Sequence, residues 1–107
     1  MPLRIELVGH LYCPIIRCDW CGERIEQATD GNVEWRMGEG PEPTTGEIFF
    51  THKRCCHKFE HHNGRRGRWY TTELIAFPVQ VAANLGLNFK KPADVQKALR
   101  IAQIHSI

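Results

Sequence analysis

Cys18-Asp-Trp-Cys21-Gly22 and His52-Lys-Arg-Cys55 are the two short runs of this sequence whose side chains could close on one metal ion. In a C-x-x-C knuckle a reversing turn aims both sulfurs at one point, and backbone N–H groups can hydrogen-bond to them. Glycine after the second cysteine suits the unusual backbone angle such a turn needs. In the second run, positions i and i+3 of a first helical turn share a face, so both side chains can reach the same ion. Together the runs read C-x2-C-x30-H-x2-C. Zinc favours four tetrahedral ligands of this soft and borderline kind, and a site with all four filled is structural. Cys18, Cys21, His52 and Cys55 are therefore the expected Zn2+ ligands. Spacing leaves other sets open: Cys56 for Cys55 if the helix starts one residue later, or a pair made by His57 with His61 or His62. Cys13 reads as a small buried hydrophobe.

The bulk properties support this chemistry. A chain of 107 residues is one domain by length, residues 1–107, able to bury roughly two thirds of its unfolded surface. Its 42% hydrophobic and 24% charged residues are those of a globular protein. No apolar run approaches the ~20 residues that span a bilayer, and the start lacks the pattern of a signal peptide. A cytoplasmic protein with reduced thiols is expected, and an odd number of cysteines, five, clustered with histidines favours metal over disulfides.

The elements that position these residues follow from periodicity. Leu3 to Val8 alternates as a strand, and Tyr12 to Arg17 continues or pairs with it. Asn32 to Met37 is a strand with Val33 and Trp35 on one face and Glu34 and Arg36 on the other. Gly38 to Gly46 must be a loop, and Glu47 to Thr51 is a strand that pairs back across it. Thr51 is a plausible N-cap for a helix over Lys53 to His62. Between Thr72 and Leu85 a helical stripe of Leu74, Phe77, Val81 and Leu85 is expected, with Pro78 near its start and Gly86 as its stop. Pro92 opens a last helix with Val95, Ala98, Leu99 and Ala102 along one face. The expected architecture is α+β: a zinc-binding core over 16–62, then a helical C-terminal extension over 71–105.

The order knuckle, hairpin, ligand-bearing helix resembles the treble-clef zinc finger, over roughly Ile16 to His62. Within that group the C-x2-C-x30-H-x2-C spacing is similar to the poly(ADP-ribose) polymerase-type finger. The resemblance implies Cys18, Cys21, His52 and Cys55 as ligands and DNA binding as an activity.

Charge is unevenly placed. Residues 1–47 hold nine acids and four bases (−5), and residues 48–107 hold ten bases and three acids (+7). Between His52 and Arg68, Lys53, Arg54, Lys58, Arg65, Arg66 and Arg68 face one acid, Glu60. With Trp69 as a stacking ring, this segment is the expected nucleic-acid surface, for DNA or RNA. Tucking of Trp69 into the core is the competing reading. The alternative function is a protein-interaction or self-association module built on the apolar C-terminal part. No catalytic residue is expected: the knuckle lacks a thioredoxin-like strand-helix context, and adjacent Cys56 and His57 diverge on a helix.

Overall fold

A computed structural model describes residues 2–37, 46–64 and 68–107, with the side chains of Met37, Arg68 and His105 left aside. The chain is α+β. Strands β1 (Leu3–Val8) and β2 (Leu11–Ile16) form an antiparallel hairpin turned at Gly9, whose φ of 64° is open to glycine. The knuckle follows, then β3 (Gly31–Met37), β4 (Phe49–His52), a 3-10 turn over Lys53–Cys55, α1 (Cys56–His62) and β5 (Arg68–Glu73). These strands make a second antiparallel sheet in the order β4-β3-β5, with Val33 opposite Phe50 and Thr72. Helices α2 (Phe77–Asn84) and α3 (Pro92–Ala102) complete the chain. No helix among the described residues is long and apolar enough to cross a membrane.

The hairpin of β3 and β4 across the glycine-rich loop is as the sequence indicates; the loop over 38–45 lies outside the described residues. Arg68 to Glu73 differs from expectation. It is a third strand, not a basic loop running into a helix from Thr72, because Trp69, Tyr70, Thr71 and Thr72 are strong strand formers once β3 offers an edge.

As the central strand, β3 is covered on both faces. Val33 packs with Ile25, Phe50 and Leu74, and partly buried Trp35 and Phe77 lie against that cluster. On the other face α1 brings Phe59 onto Phe49 and Trp69, with ring centroids 5.2 and 5.5 Å away. Glu34, on the face opposite Val33, lies under this second layer and is completely buried. It survives there by hydrogen bonding: Thr51 Oγ1 donates to it at 3.1 Å, Thr71 Oγ1 at 3.4 Å and Cys56 Sγ at 2.9 Å.

The helix after β4 also begins later than expected. Thr51 is fully buried within β4 and bonds Glu34 instead of capping, and Lys53–Cys55 winds as a 3-10 turn before α1. Beyond β5 the expected apolar stripes are poorly covered. Leu74 is buried and Phe77 half-buried, but Val81, Leu85 and Leu99 are exposed, and neither α2 nor α3 contains a buried residue.

Candidate metal centre

The knuckle is shaped by its own backbone. Cys18 N–H donates to Glu23 O at 2.9 Å and Gly22 N–H to Cys18 O at 3.0 Å, closing a turn that puts Gly22 at φ 77°. Asp19 ties this turn to β4: its N–H donates to Phe50 O at 2.7 Å, and its carboxylate accepts from Phe50 N–H at 2.8 Å. The turn is thereby held against the end of β4, where His52 lies.

The 3-10 turn supplies the other half. His52 ends β4 in extended backbone and Cys55 ends the 3-10 turn that follows, and the two side chains come to the same side. Cys18, Cys21, His52 and Cys55 each offer one ligand atom, and these atoms all lie within 4.8 Å of one another. Cys21 Sγ is 3.3 Å from His52 Nδ1. Across the ring, His52 Nε2 lies 3.2 Å from Arg24 O, a carbonyl that can accept only if Nε2 carries the proton. That tautomer leaves the Nδ1 lone pair facing the sulfurs, as a histidine ligand requires.

Electrostatics agree with the geometry. Burial disfavours a thiolate at Cys18, but backbone N–H groups of Cys21, His52 and Trp20 aim at its sulfur and bring its pKa down to about 7. The Trp20 and His52 nitrogens each stand 3.4 Å from that sulfur. Cys55 is pushed up to about 11, by burial and then by the negative charge of Cys18 and Cys21. A divalent cation would cancel that repulsion and deprotonate the thiol. Three thiols and one imidazole, pre-aimed and buried except for Cys21, fit a metal ion of the zinc type.

Cys56, one residue on, points elsewhere. It joins Glu34 and Glu60 in a separate cluster, where burial and then its bond to Glu34 push its thiol up to about 12. His57, His61 and His62 are exposed on α1 and are not among the clustered donors; the His62 ring sits edge-on to Trp20 at 5.5 Å. Cys13 is buried in β2 and also outside the cluster.

The expected nucleic-acid residues are spread around α1. Arg54 and Lys58 are exposed, and Lys53 pairs with Glu73 at 2.6 Å. Arg65 and Arg66 fall outside the described residues, as does the Arg68 side chain. The Trp69 ring packs on Phe49 and Phe59, carries Arg36 at 5.1 Å from its centroid, and donates from Nε1 to Gly64 O at 3.2 Å. Sequence reasoning missed the Asp19 lock, the Arg24 carbonyl behind His52 and the Glu34 network. Each depends on which backbone group ends up alongside, which spacing does not encode.

No protein-family model, no curated protein and no solved structure matches this chain.

Proposed function

We propose that the chain is a zinc-stabilised binding module of treble-clef type, with the ion structural and nucleic acid the partner. Knuckle, β-hairpin and helix follow in that order, and the two halves of the donor set come from the knuckle and from the hairpin–helix junction. The observation that carries the partner is the outer face of α1 and its preceding turn. Arg54, His57, Lys58, His61 and His62 are all exposed there, while the one acid, Glu60, turns inward to within 3.5 Å of Cys56 Sγ. That leaves an outer surface on which exposed cations and imidazoles outnumber the one carboxylate, partly buried Glu60 at 4.0 Å from His57 Nδ1, a balance suited to phosphates. Arg65 and Arg66, next in sequence, extend it in composition.

The test is fluorescence anisotropy with duplex, hairpin and single-stranded DNA and RNA over a salt series. Affinity should fall steeply with salt, and Arg54→Glu with Lys58→Glu should reduce it by about tenfold or more while zinc content holds. Binding that ignores salt, or no binding to any of these, contradicts the reading.

A protein partner is favoured by a different observation. Beside α2 lies a groove of about 340 Å³ lined in part by Trp35, Ile48, Phe77 and Val81, and the apolar side chains of α2 and α3 are largely uncovered. A stable complex that resists high salt would support that reading over nucleic acid.

A further inference from the structure

The β1–β2 hairpin stands as a two-stranded sheet, a form that is marginal in water without further pairing. Its hydrogen-bond parity is fixed by Arg17 N–H, which donates to Pro2 O at 2.8 Å. With Leu3 opposite Ile16 and Arg4 opposite Ile15, Arg4, Glu6 and Val8 turn their backbone groups toward β2. Leu3, Ile5 and Leu7 therefore turn theirs to the outer edge, where no further strand lies among the described residues. Their side chains are 53%, 66% and 58% exposed. Natural edges are usually blunted by charged side chains, proline, a bulge or a cover. Here the two charges, Arg4 and Glu6, are of opposite sign and two residues apart, so they repel most strangers but match an antiparallel copy.

We propose that β1 is the docking surface for a second copy of this chain, joined antiparallel about a two-fold axis at Ile5. Parity allows only registers in which Leu3, Ile5 and Leu7 pair among themselves, so an axis within this stretch passes through Leu3, Arg4, Ile5, Glu6 or Leu7; those at Leu3 and Leu7 overlap only one end of the two strands. An axis at Arg4 sets arginine against arginine, and one at Glu6 sets glutamate against glutamate. Among the three central axes, the one at Ile5 alone makes every pair favourable. Leu3 then meets the partner's Leu7, Ile5 meets the partner's Ile5, and Arg4 meets the partner's Glu6. The Arg4–Glu6 contacts fall at the non-hydrogen-bonded positions, where strands bring side chains closest. Glu6 already accepts from Arg17 Nε and Nη2 at 2.8 Å, and a carboxylate has lone pairs left for another guanidinium. The product is a four-stranded sheet, β2-β1-β1-β2, continuous across both copies.

Sedimentation equilibrium on the full 12.4 kDa chain tests this. The wild type should reach twice the chain mass at micromolar concentration. Arg4→Glu and Glu6→Arg, which oppose like charges, should each raise the dissociation constant by about tenfold or more. Mixed in equal amounts, those two variants should form a heterodimer, since each restores the other's opposite-charge pairs. Ile5→Pro removes an outward N–H that β2 does not use, and should also give monomer with an unchanged circular dichroism spectrum. If Glu6→Arg unfolds through loss of its Arg17 partner, Arg4→Glu and Ile5→Pro decide alone. A wild type that stays monomeric to about 0.5 mM overturns the proposal, as does a dimer indifferent to both Arg4→Glu and Ile5→Pro.

Discussion

Val33, Glu34 and Thr51 of the central sheet are fully buried, whereas Leu85 at the end of α2 is 81% exposed and neither α2 nor α3 buries any residue. The helices are the more apolar of the two in sequence, yet it is the sheet that is buried. In the first, four devices converge: the knuckle turn, the Asp19 lock to β4, the 3-10 turn, and α1 laid over β3. In the second, amphipathic helices follow one another with little beneath them. A small domain has too little core to fix everything by burial alone, and a metal centre supplies what burial lacks where its ligands are anchored. Spare apolar surface is then left at the periphery, on α2, α3 and the outer face of the hairpin. Such surface is where partners attach in small modules.

Substitutions should separate the two regions by size of effect. Cys55→Ser should be the largest, since it removes a buried ligand: zinc stoichiometry falls below one per chain and cooperative thermal unfolding is lost. Ligand-bearing small domains derive on the order of 10 kcal/mol of apparent folding energy from the ion. By contrast Cys56→Ser, one residue away, should keep the metal, because that side chain serves Glu34.

Next comes the aromatic layer. Phe59→Ala empties the space between α1, Phe49 and Trp69 and should cost about 3–5 kcal/mol in denaturant unfolding.

Glu34 gives a smaller effect with a pH signature. Glu34→Ala strands the hydroxyls of Thr51 and Thr71 and the Cys56 thiol, for about 2–4 kcal/mol. Burial first of all holds the Glu34 carboxyl above the usual carboxylate range; the Cys56 bond opposes this and the nearby Glu60 charge adds to it. The folded state therefore keeps this proton to higher pH than the unfolded chain does. The Glu34 contribution to stability is present at low pH and is lost as pH rises through the raised folded value. Glu34→Gln keeps an acceptor for Cys56, so it should flatten that loss and be no less stable than wild type near neutrality. A Glu34→Gln variant with an unchanged pH slope would refute the buried-carboxyl account.

The smallest effects belong to the outer helices. Leu85→Ala and Leu99→Ala should each change stability by no more than about 0.5 kcal/mol, as surface positions do. A loss of several kcal/mol at either would show that the helices are covered in solution.

The same contrast explains what could be read from residue order. The two ligand pairs and strands β3 and β4 were legible because each has a local pattern of its own, a knuckle, an i, i+3 step or an alternation. Cys55 was preferred over Cys56 on the i, i+3 spacing to His52 alone, and the structure brings Cys55, not Cys56, to the cluster. Strand β5 was hidden because the arginines before Trp69 read as a loop, while its pairing with β3 is a long-range event. Alternation put Glu34 on the face opposite Val33, but it does not show what lands on that face. Helical periodicity in α2 and α3 likewise marked apolar stripes without showing what would cover them.

The central claim is that a metal ion at Cys18, Cys21, His52 and Cys55 holds the β3–β4–β5 core while α2 and α3 depend on it little. Hydrogen exchange read by mass spectrometry, with and without a zinc chelator on protein of measured zinc content, tests it directly. The account predicts one zinc per chain, strong protection in β3 and β4 that collapses on chelation, and weak protection in α2 and α3 in both states. Metal-free protein with undiminished protection in β3 and β4 would contradict it.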